Sequence, residues 1–255
     1  MTGGSGERRN GEDGGASGDR GRFSELGLKA AMSERRGARG TVTGFVFVFA
    51  ISMLAGISDA IGFLATGDFV SFMSGNTTRF AIAFADWRFD DALRIAMILA
   101  VFVLGNMIGA IALHVTGYRI WPLLLLVSAL LAASGILFDG THTIFALVPA
   151  VLAMGALNSA VESVAGHPVS LTYVTGALSR LGKGLGRLVT GTRNFAFLLH
   201  VVPWLGMLVG AIGGAFLQIA LPQIAFYVPA GLAAGLALTA FFLPVQFEQD
   251  YLGRT

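Results

Sequence analysis

The sequence predicts an all-α membrane fold of about six transmembrane helices in two inverted three-helix repeats, with two re-entrant or broken segments. Three observations lead there. Apolar residues make up 55% of the 255-residue chain and charged residues only 13%, against about a quarter charged in an ordinary soluble domain. Six apolar stretches are long enough to cross a hydrocarbon core, which takes roughly 20 residues at helical rise. Short patterns recur at a spacing of 101 residues.

Residues 1–40 are rich in Gly, Arg, Glu, Asp and Ser and hold almost nothing to bury. A disordered charged tail is expected there, with a short helix around Phe23 to Met32 the one element it could form. No cleavable signal peptide is expected, because the first apolar run follows forty mixed-charge residues and is long enough to span. From Thr41 the character changes to a membrane domain, 41–245, and 246–255 reads as a C-terminal tail. The spans fall near 44–65, 92–114, 120–138, 143–165, 194–218 and 224–243. Two stretches are ambiguous, 66–91 and 166–193. If 68–86 and 168–188 also cross as broken helices, the spans number eight.

Lys and Arg set the orientation. Six spans put the Arg-rich tail, Arg119, the cluster Arg180, Lys183, Arg187 and Arg193, and Arg254 on one side. The other side receives Arg79, Arg88 and Arg94 together with Asp68, Asp86, Asp90 and Asp91. Both termini are therefore expected on the cytoplasmic side, and an eight-span arrangement leaves them there.

The repeat is the most informative feature. Val70 to Phe80, which contains Ser74-Gly75-Asn76 and Arg79, lines up with Leu171 to Leu181, which contains Thr175-Gly176-Ala177 and Arg180. The same spacing carries Leu104-Gly105 onto Leu205-Gly206 and Gly109 onto Gly210. With a two-residue slip, Ala55-Gly56-Ile57-Ser58-Asp59-Ala60 matches Met154-Gly155-Ala156-Leu157-Asn158-Ser159. An odd number of spans per half makes the halves inverted, 41–140 against 141–245, which is the building plan of many secondary transporters. Duplication without a transport cycle is the plainer alternative.

Ser74-Gly75 and Thr175-Gly176 each follow a β-favouring run and precede an apolar helical stretch. Non-helical backbone at membrane depth survives only where protein or a water-filled cavity surrounds it. A half-helix starting there presents a partly positive end to an anion. Interfacial loops with capped helices are the other reading. Asp59 lies about two-thirds across the first span, where a carboxylate is costly and must face protein or water. It reads as a proton or cation carrier, a substrate contact, or the partner of Arg79. Glu162 is a second intramembrane acid, one turn beyond Asn158. The candidate binding residues are thus Asp59, Ser74, Gly75, Asn76, Arg79, Asn158, Glu162, Thr175 and Gly176.

Gly105/Gly109, Gly206/Gly210 and Gly231/Gly235 are GxxxG pairs that let helices approach closely in lipid. The absence of cysteine excludes disulfides and thiolate chemistry, and His114, His142, His167 and His200 lack metal-ligand spacing. No cofactor or metal is expected. Intramembrane protease motifs are incomplete: Phe72-Met73-Ser74-Gly75 is not GxSG, and Ala65-Thr66-Gly67-Asp68 is not GxGD. The chain is not expected to be an enzyme. A net charge of +2 gives no ground for a nucleic-acid partner. The expected partners are the lipid bilayer and a small-molecule substrate, with a homo-oligomer left open.

Gly56-Ile57-Ser58-Asp59-Ala60 with Ser74-Gly75-Asn76, and Gly155-Ala156-Leu157-Asn158 with Thr175-Gly176-Ala177, resemble the paired motifs of the YoaK-like family of bacterial inner-membrane proteins, a domain of unknown function. The resemblance covers roughly 45–243. Leu157 and Ala177 stand where that family carries Gln and Thr, which weakens the second half-motif. The family implies a membrane location and no substrate. The residues support a transporter or permease for a small polar or anionic solute. A non-transporting scaffold or assembly protein is the alternative.

Overall fold

The computed structural model describes residues 43–138, 143–159, 163–164, 167–168, 174–191, 197–198 and 201–242. The predicted tail and Glu162 lie outside them. The helices are α1 (Thr43–Thr66), α2 (Met73–Ala85), α3 (Phe89–Val115), α4 (Ile120–Leu137), α5 (Thr143–Asn158), α6 (Val174–Val189), α7 (Val201–Ala220) and α8 (Tyr227–Phe241). Beyond helices, Ser163–Val164 pairs antiparallel with His167–Pro168, two residues each.

Among the described residues, α1, α3, α4, α7 and Pro222–Phe241 are long and apolar enough to cross a membrane, and Ile144–Asn158 is a shorter apolar helix. Each overlaps one of the six predicted stretches, five at the length of a span and the fourth shorter. The fourth ends at Asn158, short of residue 165, where Ser159 folds its hydroxyl onto the Ala156 carbonyl and the chain turns polar. At 13 residues α2 is about 20 Å long, too short to cross. With 16 residues and a strongly two-sided pattern, α6 is no full span either. Among the described residues, both ambiguous stretches hold a short helix.

The membrane core is built from helix crossings in which glycine replaces a side chain. Lipid supplies no hydrophobic drive between helices, so close van der Waals contact must hold them. A Cβ on Gly105 or Gly109 of α3 would collide with the backbone oxygen of Leu152 or Ala156 on α5. On α7 the ladder Gly206, Gly210, Gly214 lies in the same way on the backbone of Phe49, Met53 and Ile57 in α1. Leu123, Leu124, Val127 and Leu131 of α4 fill the space between α5 and the small face Ala230, Ala233, Ala237 of α8. Ser128 ties that contact by donating to the Ala230 carbonyl at 2.9 Å.

The two partial helices share a pattern. They begin 101 residues apart, at Met73 and Val174. Every residue from Met73 to Ala85 is buried, half-buried or exposed as is the residue 101 places on: Asn76 and Ala177 are buried, Ser74 and Thr175 exposed, Arg79 and Arg180 between.

Candidate functional site

After α1 the chain doubles back. Gly67, at φ +81°, turns a corner that a side chain would strain, and its N–H closes the helix on the Phe63 carbonyl at 2.8 Å. Residues 68–72 then run back down α1. Gly62 makes room, since a Cβ there would strike the Val70 side chain.

Asp59 holds this returning strand. One carboxyl oxygen accepts the N–H of Val70 at 2.8 Å and that of Ser71 at 2.6 Å. The other accepts the Ser71 hydroxyl at 2.6 Å. Asp59 lies seven residues before Thr66, so the strand penetrates about 10 Å below the end of α1 before α2 begins. The segment is re-entrant: irregular going in, helical coming out. Backbone N–H groups at such depth need an acceptor, and Asp59 supplies it.

Asn76 completes the clasp. Buried in the second turn of α2, its side chain accepts the Phe69 N–H at 3.1 Å and donates to the Phe69 carbonyl at 2.7 Å, as a paired strand would. Gly75 is required beside it, because a Cβ would overlap the Phe72 ring. Phe63, Phe69 and Phe72 form an aromatic wedge, the first two stacked at 4.6 Å and the last pair edge-on at 5.3 Å.

Pairing with Arg79 was one of the readings open for Asp59, and the structure pairs Arg79 with Asp68. Asp68 is fully buried and faces Arg94 of α3 at 2.5 Å and Arg79 at 3.3 Å. From Met73 to Arg79 α2 rises about 9 Å, which lifts that side chain from the depth of Asp59 toward the level of Thr66. Arg94 also donates to the Thr66 carbonyl at 3.3 Å and to Asp91 at 3.2 Å. Burial pushes the Asp68 carboxyl above its ordinary value, while the charges of Arg94 and Arg79 pull it down.

The structure thus gathers Asp59, Gly75 and Asn76 about the re-entrant strand, with Arg79 just above. Ser74 points away: it is exposed with Thr77 and Thr78, whose hydroxyls bond back to the carbonyls of Met73 and Ser74. Asn158 sits apart, at the α3–α5 crossing, donating to Asn106 at 3.2 Å with its own oxygen buried and unpartnered. Thr175 and Gly176 open α6, which packs on α7. Asp68, Ser71, Arg94 and Asn106 escaped the sequence reading. A signal for Asp68 and Arg94 was present, since acid and base stood together on the side expected to be poor in Arg. No group of three or more His, Asp or Glu able to hold a metal occurs among the described residues.

Residues 47–239 match a family described as a protein of unknown function, DUF1275. The chain is 44% identical over 215 residues to a UPF0700 transmembrane protein of Rhizobium meliloti (strain 1021), covering 84% of this chain and 93% of that one. No solved structure matches significantly. The resemblance to YoaK-like proteins stands at the level of an uncharacterised membrane family. With several apolar helices and a transmembrane relative, this is a multi-pass membrane protein, and the chain belongs to the DUF1275 family.

Proposed function

We propose that the protein is a secondary transporter or permease for a small polar or anionic solute, without catalytic activity. The observation that carries this reading is the re-entrant half-helix, with α2 starting at the depth of Asp59 instead of at a membrane face. Broken or re-entrant backbone is tolerated in lipid where it is enclosed by protein or lines a hydrated path, and carriers place their sites at such points. The matching burial of α2 and α6 supports a second element of the same kind, hence two inverted halves, 41–140 and 141–245, with both termini in the cytoplasm.

Asp59 has a defined part in this scheme. Its carboxyl lies beside the N-terminal end of α2, so that end is already occupied by an acceptor and offers little to an anion. Asp59 keeps the broken backbone in place. The solute path then runs along the exposed face of α2, where Ser74, Thr77 and Thr78 cluster on its first two turns. Hydroxyls bonded back to the helix lie comfortably against either water or lipid.

The chain has no cysteine, so single thiols can be placed without interference. Ser74→Cys and Thr78→Cys are expected to react in intact membranes with a small, charged, membrane-impermeant thiol reagent, alongside the exposed control Trp87→Cys. Labelling of the control alone would mean a dry α2 face and would remove the transport reading. The scaffold reading has one observation of its own: a Cβ on Gly231 or Gly235 of α8 meets nothing within 4 Å, leaving that pair free for another helix.

A further inference from the structure

Between α2 and α3 lies a cleft of about 340 Å³, lined by Arg79, Ile82, Ala83, Arg88, Asp91, Arg94 and Ile95. We infer that this cleft is a binding site for a small oxyanion, a phosphate or carboxylate group, held chiefly by Arg79 with Arg88 and Arg94 beside it.

Three guanidiniums meet in one small space, and they are unequally committed. Arg94 is spoken for, with Asp68 at 2.5 Å, Asp91 at 3.2 Å and the Thr66 carbonyl. Arg88 spends one nitrogen on Asp91 at 2.7 Å and reaches Asp86 only at 3.4 Å. Arg79 makes one long ion pair, 3.3 Å to Asp68, and lies over the Phe63 ring at 5.9 Å, while its Nε is buried with no hydrogen-bond partner. A guanidinium offers a planar fork of several donors that fits an oxyanion two bonds at a time, and the fork of Arg79 is mostly unused. A buried donor without a partner is costly, so a ligand that satisfied it would gain by doing so.

The second half supplies an independent sign. Arg180 stands 101 residues on, at the same half-buried position of its helix, and its Nε too is buried and unpartnered. A packing accident would not be expected to repeat at equivalent positions of two helices whose other contacts differ.

The carboxylates around the cleft decide how tightly it holds. Asp68, Asp86 and Asp91 balance Arg79, Arg88 and Arg94 in number. The anion is therefore held by oriented donors and not by excess charge, and the site should release readily, as a carrier requires. The site deepens the transport reading by naming the solute class, and rests on that reading only in treating the bound anion as cargo.

The test uses the full chain purified in uncharged detergent, with inorganic phosphate as probe and binding followed by equilibrium dialysis. Saturable binding is expected that survives sodium chloride at equal ionic strength. Arg79→Gln should weaken it at least tenfold and Arg79→Lys by less, with Arg88→Gln several-fold weaker and Arg119→Gln unchanged. Asp68 keeps Arg94 in the Arg79 variants, so they should fold. Equal affinity in Arg79→Gln and the parent, or binding abolished by chloride, overturns the site. Glycerol phosphate and short-chain phosphatidylglycerol separate the two sources of the group. Binding of both supports a free solute, while binding of the lipid alone keeps the oxyanion site and assigns it to a headgroup. Phosphate binding without uptake into proteoliposomes would sink the transport reading and leave the site standing. Uptake with no anion dependence would do the reverse.

Discussion

The two partial helices reach one design by different chemistry. In α2 the buried position of the second turn is Asn76, bonded on both sides to Phe69, and the strand before it hangs on Asp59. In α6 the equivalent position is Ala177, and further along Gly184 accommodates the ring of Phe197. Among the described residues, what the two helices share is the sequence of large, small and exposed positions, and what differs is the buried residue itself, polar in α2 and apolar in α6.

The glycine crossings show a second inequality. Gly105 of α3 opposes the Leu152 backbone, and Gly206 of α7 opposes that of Phe49. In the sequence repeat Leu152 corresponds to Met53, which instead meets Gly210. The pairs Gly109 with Ala156 and Gly214 with Ile57 are displaced in the same sense. With the motifs of α1 and α5 superposed, α1 lies on α7 one helical turn away from where α5 lies on α3. The matching motifs thus meet their neighbouring helices in different register.

The largest expected effect tests the polar anchoring. Asp59→Ala strands two buried N–H groups and a hydroxyl, costing about 3 kcal/mol or more, while Asn158→Ala removes one 3.2 Å bond and costs about 1 kcal/mol. Asp59→Asn retains an acceptor and should fall near the smaller value. Unfolding of the three variants in one detergent measures this, and equal losses for the two alanine variants would erase the contrast between halves.

Next comes register. Gly214→Leu copies the residue that α3 carries at the matching place, Leu113, and drives it into the Ile57 backbone. A loss of about 1–3 kcal/mol is expected for overpacking that backbone must absorb. Unchanged stability would mean that α1 can shift by a turn, and spin-label distances between α1 and α7 would then show it.

A smaller change is expected from Asn76→Ala, which gives α2 the residue found in α6. Losing both bonds to Phe69 should cost about 2 kcal/mol, read as a lowered unfolding midpoint in the same detergent. Smallest is Arg79→Gln, expected within about 1 kcal/mol of the parent because Arg79 is part exposed and Asp68 keeps its shorter bond to Arg94. Arg94→Gln should cost clearly more, and a reversed order would reassign the partner of Asp68.

Much of this was legible in the sequence. Span lengths located the six apolar helices, and the Ser74-Gly75 and Thr175-Gly176 motifs fell within two residues of the starts of α2 and α6. The interior position of Asp59 followed from the cost of a carboxylate in lipid. Its partners did not, because two of the three are backbone N–H groups, which no side-chain pattern reveals. The partner of Arg79 was missed for a geometric reason: a chain that turns back displaces depth from sequence order. Asn106 was hidden by the same limit, since nothing along α3 shows which face meets Asn158.

The clasp also bears on how the protein is put into a membrane. When α1 first enters, Asp59 has no acceptor role to fill until Val70 and Ser71 arrive, and α2 is too short to be held in the bilayer alone. Asp68 then waits for Arg94, a residue of the next helix. Thr43 to Arg94 is therefore the shortest stretch that gives its buried carboxylates all these partners, and a chain cut before α3 would leave Asp68 only the longer contact to Arg79. The third helix thus completes the turn that follows the first.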